Sequence, residues 1–289
     1  MALEINSPAK INLTLRITGS RKGGMHEIAS LFMRLPALEK LTLRSLDEDN
    51  VKGDLIRVQG QEVKGRNILE MVLAVAREKE PRLPSFEVDI WKQVPSGSGL
   101  GSGSGNAAAL ASWLSREWSV AFSVEELAEI GSDVPFLFQG DDLSFMTGIG
   151  ERPLRKIEDI AGLLRVVIVI PAWTCSTSAM YRMADEFYRE RGWMLNEDEA
   201  CGEALDILES LKRQERIGLL PNDFVPILEA SHPWYRSFLD AAEAGEALAW
   251  GISGSGSAFF CLFGRDAPGL IPTELFEGMS IARKILILE

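Results

Sequence analysis

The segment 96–106, SGSGLGSGSGN, constrains this chain more than any other part of it. Nine of its eleven residues are Gly or Ser. It lies between an alternating strand pattern at 85–94 and an Ala-rich run, Ala107 to about Trp118, that reads as helix. A flexible linker has similar composition. A linker needs no apolar residue at its centre, however, and Leu100 stands there. Ser104 and Asn106 are good N-caps for the helix that follows. A glycine loop that opens a helix offers bare N–H groups and a partial positive charge to an anion. Glycine also lets the backbone approach phosphate and adopt positive φ. The segment therefore predicts a phosphate cradle.

Several cradles are excluded. A Walker loop needs Gly-Lys, and the chain contains no such dipeptide. Gly103-Ser104-Gly105-Asn106-Ala107-Ala108 fits the dinucleotide pattern G-x-G-x-x-A, with Glu125 and Glu126 about 20 residues on. Pro95 and seven further residues separate that match from the strand, so a dinucleotide-dependent oxidoreductase stays a weak alternative. Protein-kinase signatures H-R-D and D-F-G are absent.

Composition narrows the partners. The 289 residues suggest about two domains. Thirty Lys and Arg against 42 Asp and Glu give a net charge of −12, the wrong sign for a nucleic-acid footprint. A locally basic site for an anionic small molecule is still compatible with it. Cys175, Cys201 and Cys261 are too scattered for a disulfide framework or a metal clip, and reduced thiols in a cytoplasmic protein fit best. His26 and His232 form no H-E-x-x-H pair, and no metal site is expected from the protein's own ligands. The most apolar stretch, Leu163 to Trp173, is broken by Arg165 and Pro171, so no membrane partner is expected. The opening residues show no signal-peptide pattern. Oligomeric state is not legible.

Residues 10–17 alternate, with Ile11, Leu13, Leu15 and Ile17 on one face, which predicts a half-buried strand. Residues 18–24 read as a turn-rich loop and 31–46 as more strand. Asn67 is a plausible N-cap for a helix to about Lys79, and Ser123 opens a capping box for a helix to Ile130. Residues 166–170 read as a buried strand. Helical patterns follow at 177–190, 198–213 and 234–244. A second Gly/Ser loop, 251–257, leads into a strand at 258–263. Mixed order of this kind suggests α+β.

Pro95 to Ala108, PSGSGLGSGSGNAA, resembles the P-x-x-x-G-L-G-S-S-A-A loop of the GHMP kinases. The likeness to one branch of that family continues along the chain. Its motifs are matched by Pro8 to Leu13, His26-Glu27, Gly131 to Phe136, Thr147 to Glu151, Asn222 to Phe224 and Gly251 to Ser257. The resemblance implies a two-domain α+β GHMP kinase fold. An N-terminal ATP-binding domain at 1–155, like domain 2 of ribosomal protein S5, would precede a ferredoxin-like C-terminal domain at 156–289. It implies ATP-dependent phosphorylation of the 2-hydroxyl of a cytidine-diphosphate-linked methylerythritol, with Mg²⁺ expected beside the ATP. A GHMP kinase for another small alcohol and a non-catalytic nucleotide-binding protein are the other readings.

The resemblance also implies roles. Asp133, in an apolar motif, would be the general base, and Lys10 would hold its carboxylate ionised. Pro95, Gly97, Gly99, Leu100, Gly101, Ser102, Gly103, Ser104, Gly105 and Asn106 would form the ATP loop. Gly105 stands where this branch has a second serine. Asn67 and Lys92 align with nucleotide-contacting positions. Asn12, Met25, His26, Thr177 and Gly254 would bind the acceptor, with His26 reading the base. Met25 replaces a tyrosine of the family. Tyr181 lies in the Ser176-Thr177 segment, which resembles a helix start in the second domain.

Overall fold

Strand β1 (Leu3–Asn12) leads through a short break into β2 (Arg16–Ser20) and the long β3 (His26–Ser45). Then come β4 (Leu55–Gln59), α1 (Ile68–Lys79), β5 (Phe86–Trp91), α2 (Ser102–Trp118), α3 (Val124–Ile130) and α4 (Val134–Gln139). Next are β6 (Leu143–Thr147), β7 (Arg152–Lys156), β8 (Leu164–Pro171), α5 (Thr177–Tyr188), α6 (Glu197–Lys212) and β9 (Gly218–Leu219). The chain ends with α7 (Val225–Ser231), α8 (Tyr235–Ala244), β10 (Ala249–Ile252), β11 (Phe259–Gly264) and β12 (Ala282–Leu288). This computed structural model describes residues 2–21, 24–46, 53–60, 66–157, 160–192, 195–265 and 282–288.

The chain divides into two compact units. The first comprises residues 1–10, 34–96 and 101–141; the second comprises 11–33, 97–100 and 142–289. In the first unit, the C-terminal half of β3 pairs antiparallel with β5, and β5 pairs parallel with β4. Helix α2 packs against α1 and α4. Asn67 caps α1 through Leu69 N–H, and the Ser123–Glu126 capping box opens α3, as their residue types predict.

In the second unit, β2 pairs with the start of β3, and β6 with β3 and β7. A separate sheet runs β12-β8-β11-β10-β9. Its central strand pairs, β8 with β11 and β12, explain why residues 166–170 are a continuous β-branched run: both faces are buried. Val167, Val169, Phe259 and Cys261 form a core with Ala184 of α5, Leu228 of α7 and Phe238 of α8.

Two sequence expectations are corrected. The single half-buried strand at 10–17 breaks after Asn12, and its polar residues Lys10, Asn12 and Thr14 are as buried as its apolar ones. Alternation reports polarity, and here each polar side chain has an internal partner, so both faces lie inside. The loop at 18–24 is strand as far as Ser20, because Gly19 and Ser20 pair with Glu27 and His26. Short helices α4 and α7 lie below the length at which periodicity signals a helix; each carries a Pro in its first turn.

Candidate active site

Helix α2 begins at Ser102, five residues before the Ala-rich run. Its N-cap is Gly101, left-handed at φ 63°, and no side chain caps it. Ser104 and Asn106, expected as N-caps, lie inside the helix instead. Glycine is a poor helix former, by about 1 kcal/mol relative to Ala, but packing of α2 on α1 and α4 carries the helix back through the glycines. The consequence is an uncapped terminus of a 17-residue helix with no acidic residue in its first turn. That is the field an anion needs. A Cβ at Gly103 would meet nothing within 4 Å, so the first turn is open there. At Gly105 a Cβ would lie 1.8 Å from the Pro8 carbonyl oxygen. No second serine fits at that position because α2 rests on the backbone of β1.

Lys10, near the end of β1, places its ammonium 3.2 Å from Oδ2 of Asp133. Asp133 precedes α4 but does not cap it; its carboxylate turns to the lysine instead. The lysine side chain is 5% exposed and the aspartate's 22%, so the carboxylate is the accessible partner. Gly101 joins this pair to the cradle: a Cβ there would lie 3.1 Å from Lys10 Cε and 3.3 Å from Asp133 Oδ2. The Lys10–Asp133 pair and the uncapped terminus of α2 therefore share one glycine.

Asn67 spends its amide oxygen on Leu69 N–H, and Lys92 spends its ammonium on Glu39 (2.7 Å) and Ser102 Oγ (2.9 Å). Glu39 was not legible as a site residue. It stands in an alternating strand, where an acidic residue signals a solvated face.

In the second unit, residues 97–100 lie along the second Gly/Ser loop. Cys175 N–H donates to Gly97 O at 3.0 Å, Ser257 N–H to the same oxygen at 3.2 Å, and Ala258 N–H to Ser98 O at 2.8 Å. Ser253 Oγ donates to Gly99 O at 2.8 Å. A Cβ at Gly99 would sit 2.0 Å from Ser253 O, and one at Gly97 2.7 Å from Cys175 O. These two glycines thus permit backbone against backbone. Leu100 is fully buried. Asn12 accepts no role at the surface either: its N–H donates to Ser253 Oγ (3.2 Å), its Nδ2 to Ser30 Oγ (2.9 Å), and Gly254 lies against its Oδ1. Asn222 donates to the carbonyls of Ile252 and Gly254, both at 2.9 Å, which fixes the loop's shape.

His26 is buried. Its Nε2 lies 2.7 Å from Asp185 Oδ1, and its ring stacks on Tyr181 at 4.6 Å and 20°. Tyr181 meets Phe224 edge-on at 5.0 Å. Asp185 was missed because an acid within a helical pattern reads as surface; Phe224 lies in the matched segment Asn222 to Phe224, which carried no role in the site. Met25, by contrast, is 51% exposed. Thr177 begins α5, with Ser255 Oγ 3.4 Å from its hydroxyl.

Among the described residues, no helix is long and apolar enough to cross a membrane, and no three His, Cys, Asp or Glu side chains could hold a metal. The Mg²⁺ expected beside ATP would take most of its oxygens from the nucleotide phosphates.

Comparison with known proteins identifies the family. Residues 66–147 match the GHMP kinases N terminal domain, and residues 204–279 the GHMP kinases C terminal domain. The chain is 32% identical over 284 residues to the 4-diphosphocytidyl-2-C-methyl-D-erythritol kinase of Leptospira interrogans, covering 89% of this chain and 90% of that protein. It is 38% identical over 186 residues to the chloroplastic kinase of that name from Arabidopsis thaliana, covering 62% of this chain and 48%, about half, of that protein. A crystal structure of 4-(cytidine 5'-diphospho)-2C-methyl-D-erythritol kinase matches with a TM-score of 0.72 and 25% identity, over 90% of each chain. The implied two-domain α+β fold is the one observed. The chain belongs to the GHMP kinase family.

Proposed function

We propose that this chain transfers the γ-phosphoryl group of ATP to the 2-hydroxyl of 4-diphosphocytidyl-2-C-methyl-D-erythritol, a step of non-mevalonate isoprenoid precursor synthesis. The observation that carries the reading is the Lys10–Asp133 pair against Gly101, at the uncapped start of α2. Similarity to kinases of that name over nine-tenths of the chain supports the acceptor.

The chain's own residues divide the work. The N–H groups at the start of α2 hold the phosphates, with the helix dipole behind them. Asp133 takes the proton from the acceptor hydroxyl as its oxygen bonds to the γ-phosphorus and the bond to the β-phosphate oxygen breaks, leaving ADP. Lys10, 3.2 Å from Oδ2, pairs with that carboxylate and holds it in place. Positioning and charge stabilisation do most of this chemistry, and no covalent enzyme intermediate is needed. Mg²⁺, arriving with ATP, supplies charge neutralisation at the phosphates. The ATP-binding and C-terminal domains are taken as 1–155 and 156–289, and the three free thiols support a reducing, cytoplasmic setting.

Met25 favours one second reading, a GHMP kinase for a different alcohol, because an exposed thioether stands where an aromatic face was expected. A coupled ADP-release assay across cytidine-linked and free alcohols tests both. Turnover of the cytidine diphosphate compound well above all others is expected. Turnover of another alcohol alone would overturn the acceptor and leave only the kinase.

A further inference from the structure

Glu39 is a buried charged residue to which the reaction gives no task. Its side chain is 1% exposed, yet it gathers four donors. Oε1 accepts from the backbone N–H of Gln93 at 3.0 Å and of Val94 at 2.9 Å. Oε2 accepts from Lys92 Nζ at 2.7 Å and from Asn106 Nδ2 at 3.0 Å. The same ammonium reaches Ser102 Oγ at 2.9 Å. One carboxylate thus grips the chain just before the Gly/Ser segment, and also the first two turns of the helix just after it.

Two features argue that the product of this arrangement is geometry. A buried ion pair is often no more stabilising than apolar residues of similar volume, so stability alone is a poor reason for it. The amide of Asn106 is also turned toward the carboxylate, since only its NH₂ can donate there. That orientation leaves its Oδ1 buried without a hydrogen-bond partner. A local cost is accepted to keep α2 in one orientation.

We propose that Glu39 is a positioning residue for ATP. It holds Lys92, Ser102 and Asn106 so that the uncapped start of α2 is set before the nucleotide arrives. The proposal rests on the reading of that terminus as the ATP site. Lys92 then acts through Ser102 and Glu39, by orienting the helix, and Glu39 touches no reacting atom.

The test uses the full chain and a non-hydrolysable ATP analogue, measured by calorimetry beside thermal melting and steady-state kinetics. Glu39→Gln keeps the shape and removes the charge. It should weaken the analogue at least about tenfold, raise KM for ATP similarly, and leave KM for the cytidine substrate and kcat at saturating ATP within about threefold. The double variant Glu39→Leu with Lys92→Met should recover the melting temperature without recovering the affinity. Glu39→Asp, which keeps the charge, should lie between wild type and Glu39→Gln, and it decides the matter should the others fail to fold. Wild-type affinity in any folded variant overturns the positioning role. So does a loss shared equally by both substrates, which marks general disruption. A wild-type chain that ignores the ATP analogue overturns the ATP reading itself, and this proposal with it.

Discussion

The Lys10 ammonium and the Asp133 carboxylate stand 3.2 Å apart, with the lysine nearly sealed and the aspartate open on one side. The pair leaves the acid reachable and buries its cationic partner, the arrangement a base on a substrate hydroxyl requires.

Asp133→Asn should therefore lose at least about 10²-fold in kcat, because an amide keeps the shape and cannot accept the proton. ATP affinity should hold within a few-fold. Lys10→Ala should be similarly impaired, and the double variant should fall well short of the product of the two losses, since the residues act as a unit. Near-normal kcat in Asp133→Asn would remove the base assignment.

The glycines of the cradle are not equivalent, and this separates stability from binding. Gly103 has space for a Cβ and lies inside α2. Gly103→Ala should raise stability by up to about 1 kcal/mol through helix propensity. It should also weaken nucleotide binding, because the methyl enters the space expected for phosphate. Gly101→Val should weaken binding severely: φ of 63° resists a β-branched residue, and its Cβ meets Lys10. Melting curves beside calorimetric titration distinguish these effects. A Gly103→Ala protein that is stabilised and binds ATP normally would place the phosphates elsewhere.

How much of this was legible in the sequence depended on the range of the signal. Caps at Asn67 and Ser123 involve residues two or three apart, and both formed as read. The start of α2 was misplaced because local propensity disfavours helix through Ser102–Gly105; packing on α1, α4 and β1 decides it. Asp133 and Lys10 were legible only through the family motifs, since 3.2 Å between distant residues leaves no periodic trace. Glu39 and Asp185 were invisible for the same reason: each reads as a surface acid until its partner is placed beside it.

Thiol reactivity gives a check independent of the catalytic reading. Cys175 and Cys261 are buried, and burial pushes both thiols up from their ordinary range; Cys201 is half-buried, and partial burial raises its thiol too. The thiolate is the reactive form. Ellman's reagent at pH 7.5 should titrate Cys201 first and slowly, and all three only in denaturant. Three fast thiols in the native chain would contradict the packing of β8 and β11 around Cys261.

The last prediction concerns the base site around His26. A carboxylate only accepts, so the Nε2 of His26 must carry a proton when it meets Asp185 at 2.7 Å, and that bond together with the Tyr181 stack fixes the ring plane. If the ring reads the base of the acceptor, Asp185→Ala should raise KM for the cytidine substrate about threefold to tenfold with kcat nearly held, because base recognition is the same in ground and transition states. His26→Ala should cost more, since it leaves a polar base edge unpaired. Met25→Tyr should lower KM by no more than about tenfold, which is about 1.4 kcal/mol. Sulfur–aromatic contact, at roughly 0.3–1.5 kcal/mol, overlaps what an aromatic pair supplies. Steady-state kinetics of the three variants with cytidine and uridine analogues decides the matter. Equal KM in wild type and His26→Ala would move base recognition away from this cluster, whatever the acceptor proves to be.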